Sequence, residues 1–141
     1  MSFAMNESIG FTVYRTAVKL RAEMLRRLKP FGLTPDLWSV LGCLAEQDGI
    51  SQRELAERTF KDNPTTRILD KLMDMDLIRR DVSNTDRRTF SIAITDRGRE
   101  LREQILPIAT EMNEDAGRGI SAGNKTQLFT LLNQIQKNVE G

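Results

Sequence analysis

Asp62-Asn63-Pro64-Thr65-Thr66-Arg67-Ile68-Leu69-Asp70-Lys71-Leu72-Met73-Asp74-Met75 is the stretch on which the reading of this chain turns. Asn63 is a good helix N-cap, and Pro64 suits the first helical position, where a missing N–H is no loss. Ile68, Leu69, Leu72 and Met75 recur at helical spacing and form one apolar face. Thr65, Thr66, Arg67 and Lys71 are left pointing outward. A helix with short hydroxyls and an Arg in its first turn offers donors to phosphates and base edges, and is of the kind a DNA major groove accepts. By itself the stretch reads equally well as a solvated surface helix, so its neighbours decide.

On the N-terminal side, Ser51-Gln52-Arg53-Glu54 is a capping box, in which Ser51 and Glu54 satisfy each other's backbone N–H groups. It opens a short helix from Gln52 to Thr59 that buries Leu55. Two short helices about a tight turn, the second presenting polar groups, make a helix-turn-helix. On the C-terminal side, Ile78 to Val82 and Thr89 to Ile94 flank the turn-rich Ser83-Asn84-Thr85-Asp86. In the second run Phe90, Ile92 and Ile94 alternate with Thr89, Ser91 and Ala93, so the first three face inward and the others outward. The pair reads as a β-hairpin, in effect a wing. Arg79, Arg80, Arg87 and Arg88 are concentrated in it. Its competing reading, an edge hairpin protected from aggregation by Arg, loses force beside the two helices before it.

Working outward, Thr34-Pro35-Asp36 starts an earlier helix, with Thr34 as cap, and Leu37, Val40, Leu41 and Leu44 form its buried face. Trp38 reads as a core residue or as part of a ligand cavity. Cys43 reads as a buried inert thiol. The first helix is expected over about Asn6 to Lys29, with a stripe of Ile9, Val13, Ala17, Leu20, Met24 and Leu28, and Pro30 and Gly32 end it. This stripe packs either on another subunit or back on its own core. Thr95 caps a long helix through Leu101, Ile105, Ile108 and Met112, which Pro107 should kink. Gly117, Gly119 and Gly123 are expected to break it. A last helix from Asn124 or Lys125 carries Leu128, Leu131, Leu132, Ile135 and Val139 on one face.

Composition narrows the function. The chain has 141 residues, 39% of them apolar, and a net charge of +1. A real core is possible, and a polybasic coat is excluded. The charge is uneven: residues 79–99 hold six Arg against three Asp, whereas 100–141 hold four basic and six acidic groups. A local basic stripe would have to supply any nucleic-acid affinity. With one cysteine and no histidine, the chain cannot form an internal disulfide or a Ser–His or Cys–His nucleophile, and zinc ligation has poor material. No signal peptide or membrane-spanning run is apparent, so a cytoplasmic protein is expected. There is no Gly-rich phosphate loop and no motif of paired carboxylates. Neither an enzyme nor a cofactor is expected.

The order of elements and several motifs resemble the MarR (multiple antibiotic resistance regulator) transcription factors over nearly the whole chain. Asp86-Arg87-Arg88 followed by Ile92-Ala93-Ile94-Thr95 and Gly98 matches the family's wing signature, an Asp-x-Arg, alternating apolar residues and Thr-x-x-Gly. The helix Ser51 to Thr59 and the Leu69-x-x-Leu72 pattern also fit. Asp76 stands where the family usually has a Gly whose left-handed backbone ends the helix. The resemblance implies a mainly α fold with a small β-hairpin wing, the winged helix-turn-helix spanning 33–99, and dimerisation helices in 1–32 and 100–141. It implies a homodimer on a pseudo-palindromic double-stranded DNA operator, most often a repressor, with Arg88 at the minor groove. Many members release DNA when a small phenolic or anionic ligand binds. Some sense peroxide through a cysteine in the first helix, and this chain has none there.

The DNA-contacting set expected on these grounds is Ser51, Arg53, Asn63, Pro64, Thr65, Thr66, Arg67, Lys71, Arg79, Asp86, Arg87 and Arg88. An effector, if small, aromatic and anionic, is expected near Tyr14, Arg15 and Trp38, which offer ring faces, a hydroxyl and a cation. The alternative is a winged-helix module that binds only proteins.

Overall fold

Capping explains where most of the helices begin. The computed structural model describes residues 3–46, 49–59, 64–82 and 90–140, with the side chains of 52, 56, 59, 64, 65 and 90 left undescribed. Helix α1 runs Ile9–Leu28, and Ser8 caps it, its Oγ accepting from Phe11 N–H at 3.1 Å. The expected start at Asn6 falls instead in a 3₁₀ turn, Met5–Glu7. Ser8 prevails because its backbone is extended and its hydroxyl lies within reach of the first free N–H groups. A second 3₁₀ turn, Lys29–Phe31, closes on Gly32 in the left-handed region. Helix α2 spans Pro35–Glu46, and the Thr34 hydroxyl accepts from Leu37 N–H.

Strand β1, Ile50–Ser51, was not expected from the sequence. It pairs antiparallel with β3, Phe90–Ile94, which in turn pairs with β2, Ile78–Val82. The sheet order is therefore β1-β3-β2, and the wing hairpin is two strands of three. This corrects the inward-outward reading of the hairpin. Ala93, paired across the strands with Arg79, is buried along with Ile92 and Ile94, so strict alternation does not hold at this small side chain. Helices α3, Gln52–Thr59, and α4, Pro64–Asp74, follow β1.

One core gathers these elements. Leu37, Val40, Leu41 and Leu44 of α2 meet Leu55 of α3, Ile68, Leu69 and Leu72 of α4, and Ile78, Ile92 and Ile94 of the sheet. Leu28 and Ile105 join it, and Trp38, Cys43 and Leu101 pack against it half-buried. Full burial of side chains such as these contributes roughly 1.5–3 kcal/mol each.

Helix α4 ends in a hydrogen-bonded closure. Asp76 N–H donates to Met73 O and Leu77 N–H to Leu72 O, at 2.9 and 3.0 Å. The closure requires Asp76 at φ 60°, the left-handed region. It is the geometry a glycine takes without cost, whereas a side chain there is crowded by its carbonyl. Asp76→Gly should therefore raise stability by about 1 kcal/mol, read as an upward shift of the thermal midpoint. An unchanged or lower midpoint would show that the Asp76 side chain repays its strain.

Helix α5 spans Asp96–Ala116 and is continuous through Pro107, and α6 spans Ala122–Glu140. The expected break at Gly123 is incorrect. Ser121 caps α6 from before it, accepting from Asn124 N–H at 3.1 Å, and Gly123 sits in the first turn. Residues 1–109 and 110–141 form two separate compact units, with α5 running from one into the other. No helix among the described residues is long and apolar enough to cross a membrane.

Candidate nucleic-acid interface

The apolar residues of α4 fix which way its polar ones point. With Ile68, Leu69 and Leu72 buried, the 3.6-residue period turns Thr66, Arg67 and Lys71 to solvent, where all three are exposed. Pro64 and Thr65 form the first turn of α4, with side chains outside the described set. Asn63, Asp86, Arg87 and Arg88 lie outside the described residues altogether.

Helix α3 sits just before. Ser51 Oγ accepts from Glu54 N–H at 3.0 Å, the Ser51 half of the expected capping box. That leaves the hydroxyl hydrogen as the group Ser51 can still give to a phosphate. Arg53 is exposed, with its Nε 3.6 Å from Glu57 Oε1 one turn on.

The β2 arginines divide between two faces. Ile78 is buried while Arg79 to Val82 are exposed. Arg79 and Asp81 project to one side, and Arg79 Nε donates to Asp81 Oδ2 at 3.1 Å. Sequence reading did not single out Asp81, although spacing by two on a strand puts it beside Arg79. Both groups are more than half or nearly half exposed. Ion pairs of this kind are worth about 0–1 kcal/mol, so exchanging the carboxylate for a phosphate costs Arg79 little. The same holds for Arg53 and Glu57.

Tyr14 and Arg15, expected near an effector, lie on α1, and Trp38, expected with them, lies on α2. Tyr14 is exposed on α1. Arg15 lies 5.7 Å above the Phe11 ring, and lines a hollow of about 360 Å³ with Asn6, Phe11, Thr12, Thr16 and Lys19. Trp38 is not among those residues and packs half-buried against the core. A second hollow, about 310 Å³, lies among Phe31, Met75, Leu77, Arg97, Glu100, Leu101 and Gln104. For Cys43, burial pushes the thiol up, Glu46 adds to the shift, and Arg58 opposes it only in part. A thiol so shifted is a poor nucleophile near neutral pH.

The arrangement is thus a helix-turn-helix with a wing, offering exposed hydroxyl and cationic groups on α4 and β2. The model of the MarR family matches residues 33–90, from just before α2 to the first residue of β3. A probable transcriptional regulator from Pseudomonas aeruginosa is 26% identical, with a TM-score of 0.85 over 94% of this chain and 99% of its own. The transcriptional repressor CouR, solved on a 23-mer DNA duplex, is 27% identical, with a TM-score of 0.83 over 96% of this chain and 99% of its own. BpsR of Bordetella bronchiseptica, solved in a study of how 6-hydroxynicotinic acid regulates its DNA binding, is 22% identical. Its TM-score is 0.87, over 96% of this chain and 98% of its own, a likeness of fold.

Proposed function

The chain belongs to the MarR family of transcriptional regulators, and on that premise we propose that it is a ligand-responsive repressor that binds a pseudo-palindromic operator as a homodimer. The observation that carries the reading is the division of α4 into a buried face of Ile68, Leu69 and Leu72 and an exposed face of Thr66, Arg67 and Lys71. In this reading Thr65, Thr66 and Arg67 read bases, while Ser51, Arg53, Lys71 and Arg79 hold phosphates. CouR, a repressor solved on DNA at 27% identity, supports a DNA partner.

An Arg bidentate to guanine O6 and N7 discriminates by about 1–3 kcal/mol. Arg67→Ala should therefore relax base preference at one position of each half-site, measured by competition among single-base operator variants. Equal loss of affinity on specific and random DNA would reduce Arg67 to a phosphate contact.

The wing gives a prediction whose sign discriminates. Asp86 and Arg88 are two apart, so on extended backbone they share a face. Asp86 then orients Arg88 toward a narrow minor groove, whose negative potential favours an inserted Arg. Arg88→Ala should cut operator affinity strongly with little change in melting temperature. Asp86→Ala should also weaken binding, although it removes a negative charge beside DNA. Tighter binding by Asp86→Ala at physiological salt would leave only a generic basic wing.

The effector belongs to the class of small aromatic or anionic molecules. BpsR, whose DNA binding 6-hydroxynicotinic acid regulates, supports that class for a protein of this fold. Phenolic acids at millimolar concentration should shift operator affinity, and their failure to bind or shift it would remove the class.

A further inference from the structure

One residue ties the end of α4 to the start of α5 through three hydrogen bonds. Thr95 N–H donates to Leu77 O at 3.0 Å. Thr95 Oγ1 donates to Asp76 O at 2.7 Å and accepts from Gly98 N–H at 3.0 Å. Asp76 and Leu77 are the two residues that close α4, and Gly98 lies in the first turn of α5. A single hydroxyl thus serves as the N-cap of one helix and the clasp on the tail of another. The contact is close on all sides. A Cβ at Gly98 would collide with Leu77 O and come within 2.7 Å of Ile94 Cγ1, and Leu77 and Ile94 are themselves buried.

We propose that Thr95 is a positioning residue for DNA recognition, fixing the angle between α4 and α5 and through it the half-site spacing the protein accepts. The inference rests on the reading of α4 as the recognition helix of a dimer. Half-sites for a two-fold protein lie about one turn, 10–10.5 base pairs, apart, and the protein tolerates another spacing only if α4 can swing. Helix α4 carries Thr66, Arg67 and Lys71, and α5 continues unbroken to Ala116. Any slack where the two meet is therefore transmitted to the bases. An ordinary cap needs only an acceptor. The bridge needs one atom that both donates and accepts, which among the usual caps means a Thr or Ser hydroxyl.

The test compares spacings. DNA selected by the wild-type protein from random duplexes is rebuilt with one or two base pairs added between half-sites, and binding is measured for wild type, Thr95→Asn and Thr95→Ser. Asn caps as well as Thr but cannot place donor and acceptor on one atom. Thr95→Asn should lose roughly tenfold of the preference for native spacing, the scale of a lost hydrogen bond to a fixed group, while remaining folded with a melting temperature lower by only several degrees. Thr95→Ser should keep the preference. A wild-type preference in Thr95→Asn, or its loss in Thr95→Ser, overturns the proposal.

Amide hydrogen exchange on the wild-type protein tests the clasp without any variant. The Leu77 and Gly98 amides should exchange together with that of the buried Leu72, by global opening. Faster local exchange at Gly98 would overturn the clasp even if Thr95→Asn fails to fold. Wild-type protein with no spacing preference on selected DNA would refute the dimeric DNA reading instead, and the exchange comparison would then decide the clasp by itself.

Discussion

Gly98→Ala is expected to cost the first unit a large share of its stability. The added methyl would sit far inside the contact distance of Leu77 O and 2.7 Å from Ile94 Cγ1. Neither neighbour can give way. Leu77 O already accepts from Thr95 N–H, and Ile94 is held in the central strand by β2. Overpacking ordinarily costs about 1–3 kcal/mol, and a clash against fixed backbone belongs at or above the top of that range. Against a total of about 5–15 kcal/mol, the thermal midpoint should fall by roughly 10 °C or more. Gly123→Ala is the control. A Cβ there meets nothing within 4 Å, and in α6 it should stabilise by up to about 1 kcal/mol. A Gly98→Ala protein melting within a few degrees of wild type would mean that α5 can slide off Leu77, and the clasp at Thr95 would fall with it.

Removal of α6 is expected to abolish the dimer. Along it Leu128 is 43% exposed, Phe129 59%, Leu131 53% and Val139 79%. Fully covering each such side chain would contribute roughly 1.5–3 kcal/mol. Helix α1 also leaves Ile9, Val13, Leu20 and Leu25 exposed. In the proposed dimer a second copy of the chain would cover such surfaces symmetrically and would set two copies of α4 for two half-sites. A chain ending at Ile120, before the Ser121 cap, should sediment as monomer or aggregate and lose tight operator binding. A well-folded dimer from that truncation would transfer the interface to other residues.

How much of this could be read from the sequence depended on how local each cause was. Helix α4 was legible because its apolar period, proline and flanking signals lie within fourteen residues. The caps Thr34, Ser51 and Thr95 were legible for the same reason, each acting three residues ahead. At the chain's start Asn6 and Ser8 are both good caps, and only the extended backbone of Ser8 separates them. Strand β1 was missed because two residues carry no periodicity, and its pairing lies with Ile92 and Ser91 some forty residues on. Gly123 was misread as a breaker because glycine disfavours helix interiors, whereas the Ser121 cap outweighs one glycine in a first turn. The Thr-x-x-Gly pattern was visible as a motif, but its reason, the approach of α5 to Leu77, is tertiary.

For the candidate site, period and charge marked Thr66, Arg67 and Lys71, and α4 carries them outward. The pairing of Arg79 with Asp81 was within reach of strand spacing. Tyr14, Arg15 and Trp38 suit an anionic aromatic by their chemistry; Arg15 lines a hollow along α1, and Trp38 packs half-buried against the core. The tip of the wing, with Asp86, Arg87 and Arg88, rests on the family's signature and lies outside the described residues.

Operator recognition is tested most directly by selecting genomic fragments with the purified protein and titrating the recovered DNA with salt. The reading of α4 and the wing predicts that one two-fold element is enriched. Affinity for it should fall linearly in log–log form with salt, with a slope of about −0.9 for each phosphate neutralised, and Arg67→Ala should blur the element at one position per half. Recovery of no common element, or binding indifferent to salt, would contradict it and leave a winged helix that serves protein contacts alone.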